Sequence, residues 1–292
     1  MANIKMFHPG IYVKDAIDTL GMSSKEFSFR TGISERTLSS IITCKGRLTF
    51  DVAYKLSSFL DNSVDFWLNL DNNYSLYLKK EEERLYLEED WTLLKEIKDY
   101  LIDNNFLDSM LNKEQSVKEI RKLLGVNRLT LLNKKDLIIC FKEQKTNIET
   151  NFFYQNCFTS LALNKAREEK APSYNRRKLQ KEINAIKKLT TLPLKEALTL
   201  LKSILLDCGV IFVYLPYMPK SNIYGVTKWL NKDKVMVAIS NKSNEINEFW
   251  FTVFHEIAHV LMEHKREAFI TFDDSLDLEA NKMAEDMLNS ID

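Results

Sequence analysis

The residues best placed to do chemistry are two histidines and a glutamate in the order His255-Glu256-Ile257-Ala258-His259. On a helix, residues four apart project from nearly the same face, so both imidazoles can reach one metal ion. Glu256 then stands beside any water bound to that ion. Zinc in hydrolytic sites takes three protein ligands and keeps one position for water. The ion lowers the pKa of that water, and a neighbouring carboxylate takes the proton and later returns it. The pattern therefore predicts Zn2+ as cofactor, His255 and His259 as ligands and Glu256 as general base. Two His and one Glu at this spacing also arise by chance on solvated helices. Here the pentad follows Phe249-Trp250-Phe251-Thr252-Val253-Phe254, a segment too apolar to be solvated.

A third ligand is expected downstream. From Ser275 the chain reads as a further helix, with Leu276, Ala280, Met283, Ala284, Met287, Leu288 and Ile291 recurring at spacings of three and four. Glu279 falls at the edge of that apolar face, as an ordinary helix-edge acid or as a ligand. A carboxylate directed toward a core is costly unless it is paired or bound to metal, and beside the pentad this favours ligation. Glu285 falls on the outer side. Asp273 and Asp274 read as turn and helix-start residues, with Asp274 or Ser275 as the cap. His264, five residues past His259, lies roughly 140° round the helix and points away from the metal.

The other end of the chain has a different pattern. His8-Pro9-Gly10 opens an amphipathic stretch, and Ser23 or Ser24 can cap a second short helix. A turn around Gly32 leads to a third helix capped by Ser34. Two short helices joined by a Gly-containing turn form a helix-turn-helix, whose second helix enters the major groove of DNA. Leu38, Ile41 and Ile42 read as its core side. Glu35, Arg36, Thr37, Ser39 and Ser40 point outward, and Lys45 and Arg47 follow where they can meet phosphates. With Ser34 these make the candidate DNA-contact set. Residues 1–75 hold eight Lys or Arg and eight Asp or Glu, so affinity is expected to be modest and salt-sensitive.

These sites need elements to position them. Gly209–Leu215 and Val235–Ser240 are β-branched runs bounded by turn residues and predict short strands, with Tyr224–Trp229 pairing to them. Such a sheet beside the pentad helix makes the C-terminal domain α+β and the protein mainly α. A strand edge there is suited to holding an extended peptide. Three segments follow: a five-helix DNA-binding domain over 1–78, closed by Phe66, Trp67 and Leu70; a helical connector over 79–192 that includes the charged run Lys79–Arg84; and the metal-site domain over 193–292. At 292 residues the chain is long enough for this arrangement.

Charge is zoned. Residues 163–202 carry eleven Lys or Arg against four Glu, and residues 241–292 carry four against twelve Asp or Glu. The basic helices, with Arg176-Arg177-Lys178, either pack on the acidic domain or touch DNA or an acidic partner. No apolar run approaches the ~18 residues of a membrane span. Met1–Lys5 has no charged flank leading into an apolar stretch, so no secretion signal is expected. Cys44, Cys140, Cys157 and Cys208 stand far apart without CxxC spacing and read as reduced thiols of a cytoplasmic protein.

Two resemblances extend this reading. Tyr224-Gly225-Val226-Thr227-Lys228-Trp229, the strand Val235–Ser240, Glu248–Thr252, the pentad and Leu278-Glu279-Ala280-Asn281 together resemble an ImmA/IrrE-type metallopeptidase domain. That resemblance implies a zincin-like fold, zinc on His255, His259 and Glu279, and Glu256 as general base of an endopeptidase. Members commonly continue past this last helix, whereas the sequence given stops at Asp292, leaving the Glu279 helix less support. His8-Pro9-Gly10, Leu20-Gly21-Met22-Ser23, Gly32-Ile33-Ser34, Leu48-Thr49, Ala53, Leu56, Phe66-Trp67-Leu68-Asn69-Leu70 and Tyr74 resemble the HigA-type branch of phage-repressor-like helix-turn-helix domains. This one implies a repressor or antitoxin that binds its own operator DNA, usually as a homodimer. Combined, they describe a transcriptional regulator whose peptidase domain cleaves itself or a protein partner, a toxin or another regulator. The alternative is a non-catalytic repressor or antitoxin whose C-terminal domain is a sensor or toxin-binding module.

Overall fold

Caps and turns set the first unit. A computed structural model describes residues 6–134, 152–242, 245–263 and 274–289, with the side chains of 274–277 excepted. Helix α1 (Pro9–Thr19) starts with proline at its first position, where no N–H is needed, and with the Gly10 amide donating to His8 Nδ1 at 2.9 Å. The Glu26 amide donates to Ser23 Oγ at the start of α2 (Ser24–Thr31), and the Thr37 amide to Ser34 Oγ at the start of α3 (Glu35–Ile42), both at 3.1 Å. Between these helices Gly32 has φ +67°, a left-handed conformation that glycine adopts without steric cost. Thr49 caps α4 (Phe50–Phe59), and α5 (Val64–Asp103) follows.

Val13, Phe27, Leu38, Ile41, Leu56 and Trp67 are buried together as the core of this unit. One expectation is corrected here. Trp67 is buried and Leu70 packs against the core, but Phe66 is exposed and stands edge to face with Trp67. Neighbours on a helix point about 100° apart, so both rings cannot face one core.

The chain divides into two compact units, Met1–Glu88 and Glu89–Asp292. The line falls within α5, later than the expected boundary at residue 78. In the second unit α5 continues to Asp103, and α6 (Lys113–Leu124) is set by a reciprocal capping box between Asn112 and Gln115. α7 (Phe152–Glu168) is buried nearly all round. α8 (Arg176–Lys188) and α9 (Leu194–Asp207) precede the sheet. The stretch 79–192 is not a separate connector, because Leu179, Ile186 and Leu189 share a core with the strands and the pentad helix. An amphipathic helix needs a partner for its apolar stripe, and α8 finds one on α9 and two later helices. Its Arg176, Arg177 and Lys178 remain exposed.

β1 (Val210–Leu215), β2 (Gly225–Asn231) and β3 (Lys234–Ser240) form a sheet in the order β1-β3-β2. β1 pairs parallel to β3, and β2 antiparallel. The central β3 is buried from Val235 onward, which is why its sequence is a continuous apolar run. α10 (Ile246–Leu261) packs on β2 and β3, and α11 (Asp274–Asn289) packs on α10. The predicted strands are thus present, and the structure is mainly α with a small three-stranded sheet. Among the described residues no helix is long and apolar enough to cross a membrane.

Candidate metal centre and nucleic-acid interface

Helix α10 is buried on almost every side from Phe249 to Leu261 except at Phe251, which accounts for its apolar sequence. His255 and Glu256 are essentially inaccessible, and His259 is 6% exposed. The two imidazoles stand edge to face with ring centroids 4.7 Å apart, and their Nε2 atoms are 3.0 Å from each other. Tetrahedral zinc with Zn–N near 2.0–2.1 Å sets two ligand nitrogens roughly 3.3 Å apart. The donor atoms therefore suit a shared metal ion with a displacement of a few tenths of an ångström. On its other side His255 Nδ1 lies 2.9 Å from Asn281 Oδ1 of α11.

Glu256 points toward β2. Thr227 Oγ1 donates to its Oε2 at 2.7 Å. A Cβ on Gly225 would stand 2.6 Å from Oε1, so only glycine lets the strand pass so close. Gly225 and Thr227 are two apart on a strand and share one face. The carboxylate is thereby confined between a hydroxyl and a backbone that has no side chain. Both residues lie within the Tyr224–Trp229 match, but their role was not read from sequence. The alternation of positions 225 and 227 was the available signal.

Glu279 is placed differently. Ala280, Ala284 and Met287 are the buried stripe of α11, Asn281 is partly buried and Glu279 is exposed. Residues two apart differ by roughly 200° round a helix, so Asn281 and Glu279 occupy opposite flanks of that stripe. Asn281 is the one that reaches His255. Among the described residues no group of three His, Cys, Asp or Glu side chains is gathered for a metal. His264 and Asp273 lie outside the described residues, as do Cys140 and the side chains of Asp274 and Ser275.

In the first unit, Ser34, Glu35, Arg36, Ser39, Lys45 and Arg47 are exposed, and Thr37 and Ser40 are half-buried. Three of these candidates are also engaged within the unit. Ser34 and Thr37 share a hydroxyl contact of 2.7 Å at the helix start, and Arg47 is paired to Asp71. Glu35, Arg36, Ser39 and Lys45 offer the rest of an outward surface along α3 and the turn after it.

Residues 13–67 match the helix-turn-helix family. The uncharacterized HTH-type transcriptional regulator YddM of Escherichia coli (strain K12) is 38% identical over 68 residues, 23% of this chain and 72% of that protein. Antitoxin HigA-1 of Vibrio cholerae serotype O1 is 34% identical over 61 residues, 21% of this chain and 57% of that protein. A solved addiction module antidote protein of a HigA family from Coxiella burnetii is 23% identical, covering 30% of this chain and 96% of its own, at a TM-score of 0.28. That score by itself supports no common architecture. The chain belongs to the helix-turn-helix family of HTH-type transcriptional regulators, through its first unit. The family match ends at residue 67, well before α10 and α11.

Proposed function

We propose that this chain is a DNA-binding transcriptional regulator of the antitoxin type that carries a zinc-dependent endopeptidase domain. The regulatory half rests on family membership and on the outward face of α3. Likeness to a protein named as an antitoxin supports a protein partner, a toxin or another regulator; operator DNA as ligand and action as a cytoplasmic homodimer belong to the same proposal. The peptidase half is carried by one observation: two buried imidazole Nε2 atoms 3.0 Å apart beside a glutamate held by Thr227.

His255 and His259 would hold the zinc, with Glu279, on the neighbouring α11, as the proposed third ligand. When bound, the ion supplies Lewis acidity for a peptide carbonyl and lowers the pKa of water. Glu256, oriented by Thr227, takes a proton as water attacks and returns it to the departing amide nitrogen. β2 is an outer strand beside Glu256 and offers its main chain to an extended peptide.

Elemental analysis of wild type and His255→Ala tests the site. About one zinc per chain in the former and little in the latter supports it, and no zinc in either after addition of the metal overturns it. Glu256→Gln is expected to keep zinc and DNA binding while losing cleavage of the partner. The exposed flank position of Glu279 favours a second reading, in which the C-terminal domain is a non-catalytic sensor or toxin-binding module. Under that reading Glu256→Gln regulates as wild type does.

A further inference from the structure

We propose that Asn281 is a positioning residue that fixes the tautomer of His255, and so aims the His255 Nε2 lone pair at the point shared with His259. The inference deepens the metal-site reading but can be judged without it.

A neutral imidazole carries its proton on one nitrogen and presents a lone pair at the other. An amide oxygen accepts and cannot donate. With Asn281 Oδ1 2.9 Å from Nδ1, the favourable arrangement has Nδ1–H donating to it. His255 Nε2 is then bare, and it faces His259 Nε2 at 3.0 Å. The opposite tautomer would set a lone pair on Nδ1 against the lone pairs of the amide oxygen. In a fully buried setting that mismatch costs more than it would in water. Metal-binding histidines commonly need this second contact, because it sets both tautomer and ring orientation.

The position of Asn281 on α11 also has a consequence. It stands on one flank of the buried stripe formed by Ala280, Ala284 and Met287, whereas Glu279 stands on the other. In the arrangement observed, α11 therefore contributes an orienting partner to the pentad rather than a carboxylate. Phe251, one turn before His255 on α10, has its ring centroid 6.3 Å from the imidazole, so ring position is constrained from that side as well.

The test uses the full chain, stripped with chelator and labelled with 15N at histidine. Imidazole two-bond 15N–1H correlations report the tautomer, and His255→Gln assigns the signal. Wild type is expected to show His255 protonated at Nδ1, and Asn281→Asp, which keeps an acceptor, to show the same. Asn281→Leu, with the same number of side-chain heavy atoms and no acceptor, should shift His255 to Nε2–H or to a mixture. A wild-type His255 protonated at Nε2 overturns the proposal, even if a variant fails to fold. So does an unchanged tautomer in a folded Asn281→Leu. Zinc competition with a chromophoric chelator gives a second readout: Asn281→Leu should bind roughly 10–100-fold more weakly, and Asn281→Asp should recover most of that loss. Wild type that holds no zinc but shows the Nδ1–H tautomer would sink the metal reading and leave the role of Asn281 intact.

Discussion

Arg47 donates from Nε and Nη2 to Oδ2 of Asp71, at 2.9 and 2.6 Å, while the other oxygen of that carboxylate takes the Leu48 amide at 3.0 Å. Asp71 belongs to α5, so the turn after α3 is tied to a helix far along the chain. The carboxylate is 4% exposed and the guanidinium 65% exposed, so the two partners have unequal roles. Removing Asp71 strands a backbone donor and frees the turn. Asp71→Ala is expected to cost about 1–3 kcal/mol in urea unfolding, the scale of an unsatisfied buried group. Arg47→Ala should also destabilise, since it leaves a buried carboxylate without its cation. Equal stability of Arg47→Ala and wild type would mean that Arg47 serves DNA alone.

Lys45 provides the contrast. It is exposed at the end of the same turn, directly after Cys44, whose φ is +61°. Lys45→Ala should leave stability within about 0.5 kcal/mol, as surface changes do. If Lys45 meets a phosphate, the variant lowers affinity for DNA upstream of the gene about equally across sequences. It also reduces the slope of log K against log salt by about one. Arg36→Ala should instead alter preference between sequences. Fluorescence anisotropy at several salt concentrations separates these outcomes, and an unchanged slope for Lys45→Ala removes it from the interface.

What was legible in the sequence was local. Ser23 and Ser34 cap their helices because a side-chain oxygen near an amide two or three residues on needs no distant partner. Strands β1 and β3 were legible because burial on both faces leaves a continuous apolar run. The pentad was legible because its spacing is the helix period itself. Long-range choices were not. Glu279 reads as an edge residue of an apolar stripe, but a stripe has two edges, and only the docking of α11 on α10 decides which one faces the imidazoles. Asn281 took that place. The basic helix α8 likewise reads as a connector until its apolar stripe is seen buried with α9 and α10.

The close approach of Gly225 to Glu256 gives a stability test. Gly225→Ala would place a methyl 2.6 Å from Glu256 Oε1 and 2.7 Å from its Cγ. Glu256 is enclosed, so the strand or the carboxylate must shift, and overpacking of this kind costs about 1–3 kcal/mol. Thermal unfolding of the second unit should fall accordingly, and zinc uptake should weaken if Glu256 is pushed toward the imidazoles. Thr227→Val, nearly isosteric, removes the donor to Oε2 without adding volume. It should lower stability less than Gly225→Ala. A Gly225→Ala variant as stable as wild type would show that β2 does not press on Glu256.

His8 links the first unit to pH. Its ring is 7% exposed, packs edge-on to Tyr74 and accepts the Gly10 amide at Nδ1. Burial holds its pKa below the ordinary histidine value, outweighing the opposing effects of Asp71 and of a hydrogen bond that the ring donates to the Gly46 backbone. Protonation would also remove the lone pair that caps α1. Between the lowered folded pKa and the unfolded value of about 6.5, the unfolded chain binds more protons. Stability from this group is therefore full above about pH 7. It declines as pH falls through 6.5, and levels off once the folded form protonates too. The slope cannot exceed about 1.4 kcal/mol per pH unit for one proton. His8→Asn keeps a capping acceptor without a titrating group, so urea unfolding of this variant between pH 5.5 and 8 should be flatter than wild type. Parallel curves for the two proteins would show that His8 is protonated equally in both states.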